Sequence, residues 1–192
     1  MNAALALATV AALQKQMPVA AENIRAGLAA VDWPGRLQLV VRPGGQKVLL
    51  DGAHNADGAK ALRAALETHF GSVRPMFVFG ALADKNWPDI CRTLAPLAGK
   101  VYTVPVASPR TADPRELAAV FQSAQPAAPA AACRDFQEAF IACKNEPFVV
   151  ITGSLDLVGE ALEWLGLAPG GAGERGLNEW SAAARRDKST AS

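Results

Sequence analysis

Leu49-Leu50-Asp51-Gly52-Ala53-His54-Asn55, followed by a helical run over residues 56–69, decides the fold. An apolar strand that ends in polar residues and turns directly into a helix is the unit of an α/β sheet. Upstream, Leu37-Gln38-Leu39-Val40-Val41-Arg42 and Lys47-Val48-Leu49-Leu50 read as two short strands joined across Pro43-Gly44-Gly45. That turn predicts an antiparallel hairpin. Downstream, strands are expected at 75–79, 100–104 and 147–151, and helices at 87–96, from 114 onward, and from Ser154 to about 165. The later strands are continuously apolar, as in a parallel sheet covered on both faces. The expected fold class is therefore α/β: a Rossmann-like, mostly parallel sheet with an initial antiparallel hairpin and helices on both faces. The Ala/Pro-rich stretch 122–132 reads as a surface connection.

Three units are expected along the chain: helices at 1–31, the α/β unit at 32–167, and a weakly ordered tail at 168–192 with a possible helix over 177–186. The first unit holds two Ala/Leu-rich segments separated by Met17-Pro18, with Pro18 expected in the first turn of the second and Glu22 beside its positive end. Helices so small and apolar need a partner surface. It is either the domain that follows or the larger part of another domain.

Composition narrows the function. The 192 residues are 51% hydrophobic, with 19 Lys+Arg against 18 Asp+Glu. A formal net charge of +1 without a basic patch argues against nucleic acid and anionic membranes as partners. The N-terminal apolar run lacks a basic leader and meets Lys15 before reaching the roughly 20 residues that span a bilayer. Cys91, Cys133 and Cys143 are too irregularly spaced for a disulfide framework or a zinc site. The cytoplasm is the expected compartment.

Ligands of open α/β sheets bind beyond the carboxyl ends of the strands. Three polar clusters fall there: 51–55, 84–86 and 152–154. Asp51 can accept hydrogen bonds from paired ligand hydroxyls such as those of a ribose. His54 and Asn55 stand at a helix mouth, where exposed N–H groups favour an anion. The competing reading makes Asn55 an N-cap and has Asp51 and His54 hold the turn. Arg36, after the stiff Trp33-Pro34-Gly35, suits bidentate phosphate contact or a brace for the linker. Lys85 can meet a phosphate or a carboxylate, or sit in a solvated ion pair. Arg110 can reach a carboxylate or close a loop salt bridge, and Ser154 can join an anion-accepting turn or cap its helix. His69, near a helix end, is read as a cap or dipole partner.

Several chemistries lack their signatures. The sequence contains no GxxxxGK[ST] loop, HExxH helix or GxGxxG fingerprint. A hydrolase built from Ser154, His54 and Asp51 lacks the GxSxG elbow.

The chain resembles the C-terminal domain of folylpolyglutamate synthase/dihydrofolate synthase, in the Mur-ligase-like family of ATP-dependent amide-bond-forming enzymes. The residues that carry the resemblance are Trp33-Pro34-Gly35-Arg36-Leu37, Leu50-Asp51-Gly52-Ala53-His54-Asn55, Phe79-Gly80-Ala81-Leu82-Ala83-Asp84-Lys85 and Thr152-Gly153-Ser154-Leu155 with Val158-Gly159-Glu160. Their order and spacing match over residues 31–166, and residues 2–30 resemble the end of the family's central ATPase domain.

The resemblance implies a folate-biosynthesis enzyme of one-carbon metabolism that uses ATP and Mg2+ to activate a carboxylate as an acyl phosphate. The amine of L-glutamate then attacks. The acceptor would be dihydropteroate or tetrahydrofolate, and the parent enzyme a cytoplasmic monomer. Arg36 would touch ATP phosphate and Asp51 the ribose, with His54 and Asn55 close to the nucleotide; Arg36 and His54 would serve catalysis. Lys85, Arg110 and Ser154 are candidates for placing glutamate. The family's phosphate loop, magnesium ligands and main pterin surface precede the part represented here, so no metal ligand is expected in this chain. It is expected to be inactive without the N-terminal ATPase portion. Met1 is open to three readings: a true start, an internal start, or the edge of a larger polypeptide. Two alternatives stand beside this one, a stand-alone nucleotide- or glutamate-binding module and the C-terminal domain of another Mur-like amide ligase.

Overall fold

The computed structural model describes residues 2–71 and 73–168. The expected tail from 169 on, with its possible helix over 177–186, lies outside the described residues. Two helices come first, α1 (Asn2–Leu13) and α2 (Ala21–Ala29). α2 buries no residue, and Leu5, Leu7, Leu13, Met17 and Leu28 remain exposed. Pro18 precedes the second helix instead of lying in its first turn, because α2 starts only at Ala21. The Gln14 side chain holds that bend by donating to the Val19 carbonyl and accepting from its N–H.

The sheet has six strands: β1 (Gln38–Val41), β2 (Lys47–Asp51), β3 (Met76–Phe79), β4 (Lys100–Thr103), β5 (Ala130–Ala132) and β6 (Phe148–Thr152). Their spatial order is β1-β2-β6-β3-β4-β5. β1 pairs antiparallel with β2 and every other pairing is parallel, so the hairpin at the edge of a parallel sheet is as expected. Gly44 and Gly45 take positive φ in its turn, which glycine does without steric cost.

Helices cover both faces. α3 (Ala56–Phe70), α4 (Trp87–Leu94) and α5 (Pro114–Ala124) pack one side through Leu62, Leu66, Ile90, Leu94, Leu117 and Phe121. α6 (Phe136–Ala142) and α7 (Leu155–Trp164) pack the other through Phe136, Phe140, Leu157 and Ala161. Strand side chains alternate between the two: Leu49, Phe77 and Val150 join the first core, whereas Leu50, Val78 and Ile151 join the second. Two-sided burial is why these strands lack polar alternation, and each fully buried Leu or Phe contributes roughly 1.5–3 kcal/mol. No described helix is long and apolar enough to cross a membrane.

The stretch 122–132 corrects its reading as a surface connection. α5 runs through Ala124, and Ala130–Ala132 form β5 against β4. Gln122 closes the turn between them, donating to the Pro126 carbonyl and accepting from the Ala130 N–H, each at 3.0 Å. Backbone pairing with a partner already in place overrides the low strand propensity of alanine. α6 also goes unread in the sequence, although Asp135 marks its start as the N-cap: Asp135 accepts from the Glu138 N–H, and Glu138 accepts from the N–H of Arg134, the residue before the cap.

This order positions the ligand edge. From β2 the chain leaves to α3 on one face, and from adjacent β6 it leaves to α7 on the other. That divergence is the topological switch point, where α/β sheets open a crevice.

Candidate functional site

The polar ends of β2 and β6 meet in register, Asp51 opposite Thr152, with Phe79 of β3 on the far side of Thr152. Glycines let the loops close over them. Gly153 has φ 107°, and a Cβ there would lie 2.6 Å from the Phe79 ring. Gly52 presses on Leu155, and Gly35, at φ 74°, presses on Val158.

The loop 33–37 is bonded to the end of β2. The Gly52 N–H donates to the Gly35 carbonyl at 3.0 Å, and the Leu37 N–H donates to Asp51 Oδ2 at 3.0 Å. The other Asp51 oxygen accepts from the Ala53 N–H, also at 3.0 Å. Asp51 is only 7% exposed. Burial pushes its carboxyl above the ordinary aspartate value, against the lowering effect of the two N–H donors and of Arg36 and His54.

His54 Nδ1 lies 2.8 Å from the Gly52 carbonyl. A carbonyl only accepts, so Nδ1 carries a proton and Nε2 is the ring nitrogen open to a ligand. Asn55 caps α3 by accepting from the Gly58 N–H at 2.8 Å. Ser154 caps α7 by accepting from the Asp156 N–H at 3.1 Å, and it is 2% exposed. The capping readings of Asn55 and Ser154 therefore hold, and neither role removes these residues from the ligand edge. No Ser-His-Asp relay forms, because Asp51 and His54 are each bonded to backbone instead of to one another.

Two clefts share His54. The first, of about 570 Å³, is lined by Trp33, Arg36, residues 52–55 and the opening turn of α3. Sequence reading gives Trp33 no role of its own, yet its exposed indole forms part of this wall; an aromatic three residues before a candidate phosphate-binding arginine was the available signal. The second cleft, of about 240 Å³, brings Lys85 and Arg110 to His54 and the start of α7 at Ser154. Arg110 makes the expected loop salt bridge with Asp84 at 3.0 Å. Among the described residues no carboxylate lies within ion-pair distance of Lys85. The edge thus offers two recesses, each at a helix N-terminus and each with basic side chains beside an aspartate, Asp57 in the first and Asp156 in the second, joined by one imidazole. His69 lies in the last turn of α3, outside both clefts.

The described residues contain no group of three or more His, Cys, Asp or Glu able to hold a metal. The first cleft instead brings together a guanidinium, an imidazole and the capped start of α3.

Comparison with known proteins agrees with this geometry. Residues 35–155 match the family described as Mur ligase, glutamate ligase domain. Folylpolyglutamate synthase of Lacticaseibacillus casei is 38% identical over 163 residues, covering 81% of this chain and 36% of that protein. Among solved structures, Escherichia coli FolC in complex with DHPP and ADP superposes with a TM-score of 0.74 at 25% identity, covering 86% of this chain and 38% of that one. Folylpolyglutamate synthase of Thermotoga maritima superposes with a TM-score of 0.67 at 33% identity, over the same shares of the two chains. The chain spans under two-fifths of the length of each of these relatives. Its sheet order, its strand-end motifs and these matches together place the chain in the Mur ligase glutamate ligase domain family, aligned with folylpolyglutamate synthase/dihydrofolate synthase proteins.

Proposed function

We propose that this chain is the C-terminal, amino-acid-handling portion of an ATP-dependent ligase that adds L-glutamate to dihydropteroate, tetrahydrofolate or both. The observation that carries the reading is the pair of clefts meeting at His54, one holding Arg36 beside the start of α3, the other holding Lys85 and Arg110 beside the start of α7. A reaction that joins an anionic activated acyl group to an amino dicarboxylic acid needs two such recesses side by side.

ATP supplies the phosphoryl group that activates the acceptor carboxylate as an acyl phosphate. Arg36 binds phosphate bidentately and offsets its charge. His54 Nε2 reaches the boundary between the two clefts, where it orients the reacting groups or accepts a proton from the incoming amine. Asn55 stays in the first cleft as the helix cap and keeps the α3 N–H groups directed at an anion. Lys85, Arg110 and the start of α7 hold the glutamate carboxylates. Asp51 meets the ribose through the lone pairs that its backbone bonds leave free.

The remaining machinery belongs to an N-terminal ATPase portion, with α1 and α2 as its trailing helices and the α/β unit beginning near residue 32. The exposed leucines of α1 and α2 support that division. Absence of a GxxxxGK[ST] loop from the sequence, and of a metal donor set among the described residues, supports inactivity of this chain alone. A cytoplasmic, monomeric parent enzyme in folate biosynthesis completes the reading, and the three unpaired cysteines suit a reducing compartment.

Mass spectrometry of glutamate addition tests it. The chain is incubated with ATP, Mg2+, L-glutamate and either dihydropteroate or tetrahydrofolate, with and without the P-loop portion of a family ligase. Product is expected only in the complemented reaction. Product from the chain alone overturns its dependence on a second portion. Addition of L-lysine in place of glutamate, to a muramyl acceptor, assigns a different ligase of the family.

A further inference from the structure

We infer that Asp51 is a positioning residue that fixes the backbone at Arg36 and His54 relative to each other, its two carboxylate oxygens accepting hydrogen bonds from N–H groups of two different loops. The inference rests on the nucleotide reading of the first cleft and goes beyond it, since the ribose role assigned to Asp51 requires none of these bonds.

Arg36 is pinned on both sides. Before it, the Gly35 carbonyl accepts from the Gly52 N–H; after it, the Leu37 N–H donates to Asp51 Oδ2. Asp51 Oδ1 holds the Ala53 N–H, and His54 follows with its ring tied to the Gly52 carbonyl. One buried carboxylate thus closes the short path between the guanidinium and the imidazole that line the same cleft. Leu37 marks what this costs. It has φ 45°, a left-handed conformation that costs an ordinary side chain about 1–2 kcal/mol and persists only where its surroundings over-determine it. Its side chain is 48% exposed, so core packing does not impose the conformation. The bond to Asp51 holds it, together with the turn in which the Arg36 N–H donates to the Trp33 carbonyl and the Gly35 N–H to Gln38 Oε1.

An ionised carboxylate is the only common group of this size that accepts at both ends. Asp51→Asn keeps the volume but sets an NH2 group against one of the two N–H donors. The ligand-free test uses the chain itself. In the wild type, the Leu37 and Ala53 amides exchange slowly with solvent deuterium, and the Arg36 backbone N–H shows the heteronuclear NOE of an ordered residue. In Asp51→Asn both amides exchange about tenfold faster or more, and the Arg36 NOE collapses, while the core amides of β3 and β6 stay protected. Should the variant fail to fold, the wild-type exchange decides: a Leu37 amide exchanging at the unstructured rate overturns the inference.

Titration with ATP and with 2′,3′-dideoxy-ATP separates positioning from ribose contact. Positioning weakens dideoxy-ATP as well as ATP in Asp51→Asn, with the additional loss for ATP reporting the ribose contact, and it adds little to the loss of dideoxy-ATP binding already caused by Arg36→Ala. A loss confined to ATP overturns the inference, because Asp51 then acts only through the ribose hydroxyls. A wild-type chain that binds neither nucleotide, with slow Leu37 exchange, counts against the nucleotide cleft and leaves the clamp standing.

Discussion

Arg110 Nη1 lies 3.0 Å from Asp84 Oδ2, so the loop after β3 and the loop after β4 are joined at the mouth of the second cleft. Backbone bonds already hold the same loops: the Ala83 N–H donates to the Arg110 carbonyl at 2.7 Å and the Ala112 N–H to the Ala81 carbonyl at 2.9 Å. The ion pair is exposed and contributes under about 1 kcal/mol. Asp84→Asn should leave urea denaturation nearly unchanged and release Arg110 for a ligand carboxylate. In the complemented ligase, its KM for glutamate is expected to fall, most at low salt, whereas Arg110→Ala raises it. An unchanged KM in both variants removes Arg110 from the amino-acid cleft.

Two glycines with similar backbone angles should respond very differently to alanine. Gly153 at φ 107° would place a Cβ 2.6 Å from the Phe79 ring, whereas Gly44 at φ 91° has nothing within 4 Å. Gly44→Ala is expected to cost about 1 kcal/mol of backbone strain. Gly153→Ala adds a clash in the core and is expected to cost about 3–5 kcal/mol. Equal losses in equilibrium denaturation would show that conformation, not space, governs both sites.

The Thr152 hydroxyl is buried and has no hydrogen-bond partner among the described residues. An unmade hydrogen bond of this kind costs about 1–3 kcal/mol of desolvation. Thr152→Val, which keeps the branched shape, is expected to raise stability by about 1 kcal/mol. A loss of similar size would reveal a water or ligand that the hydroxyl serves.

Burial pushes the Cys91 and Cys143 thiols up to about 12, while unfolded thiols ionise near 9. Between those values the folded chain keeps protons that the unfolded chain has lost. Stability contributed by these thiols is therefore complete below pH 9 and declines as pH rises toward 12. Iodoacetamide at neutral pH should label only half-buried Cys133 in the native protein, and slowly, since burial raises its pKa as well and leaves little thiolate. Rapid labelling of all three would mean that the core opens readily.

Much of the local architecture is legible in the sequence because its signals are local. Pro43-Gly44-Gly45 marks the hairpin, Asn55 and Ser154 mark helix starts, and the apolar runs at β3 and β6 mark buried strands. β5 is not legible, because three alanines carry no strand signal and pair only where β4 already offers an edge. The candidate site divides along the same line. The motifs identify Asp51, His54 and Lys85 as polar residues at strand ends and Arg36 as the end of a stiff connection, but Asp51 finds its Leu37 partner across 14 residues and Arg110 finds Asp84 across 26.

By itself the sequence determined the alternation of strands and helices, the hairpin and the chemistry available at the strand ends, since turn residues, caps and apolar runs act over a few positions. Only the tertiary structure decided that β6 lies between β2 and β3, which sets Thr152 beside Asp51 and divides the ligand edge into two clefts around His54. Strand order follows from the packing of whole layers, α3, α4 and α5 on one face against α6 and α7 on the other. No local periodicity encodes that choice, because β2, β3 and β6 are apolar toward both faces.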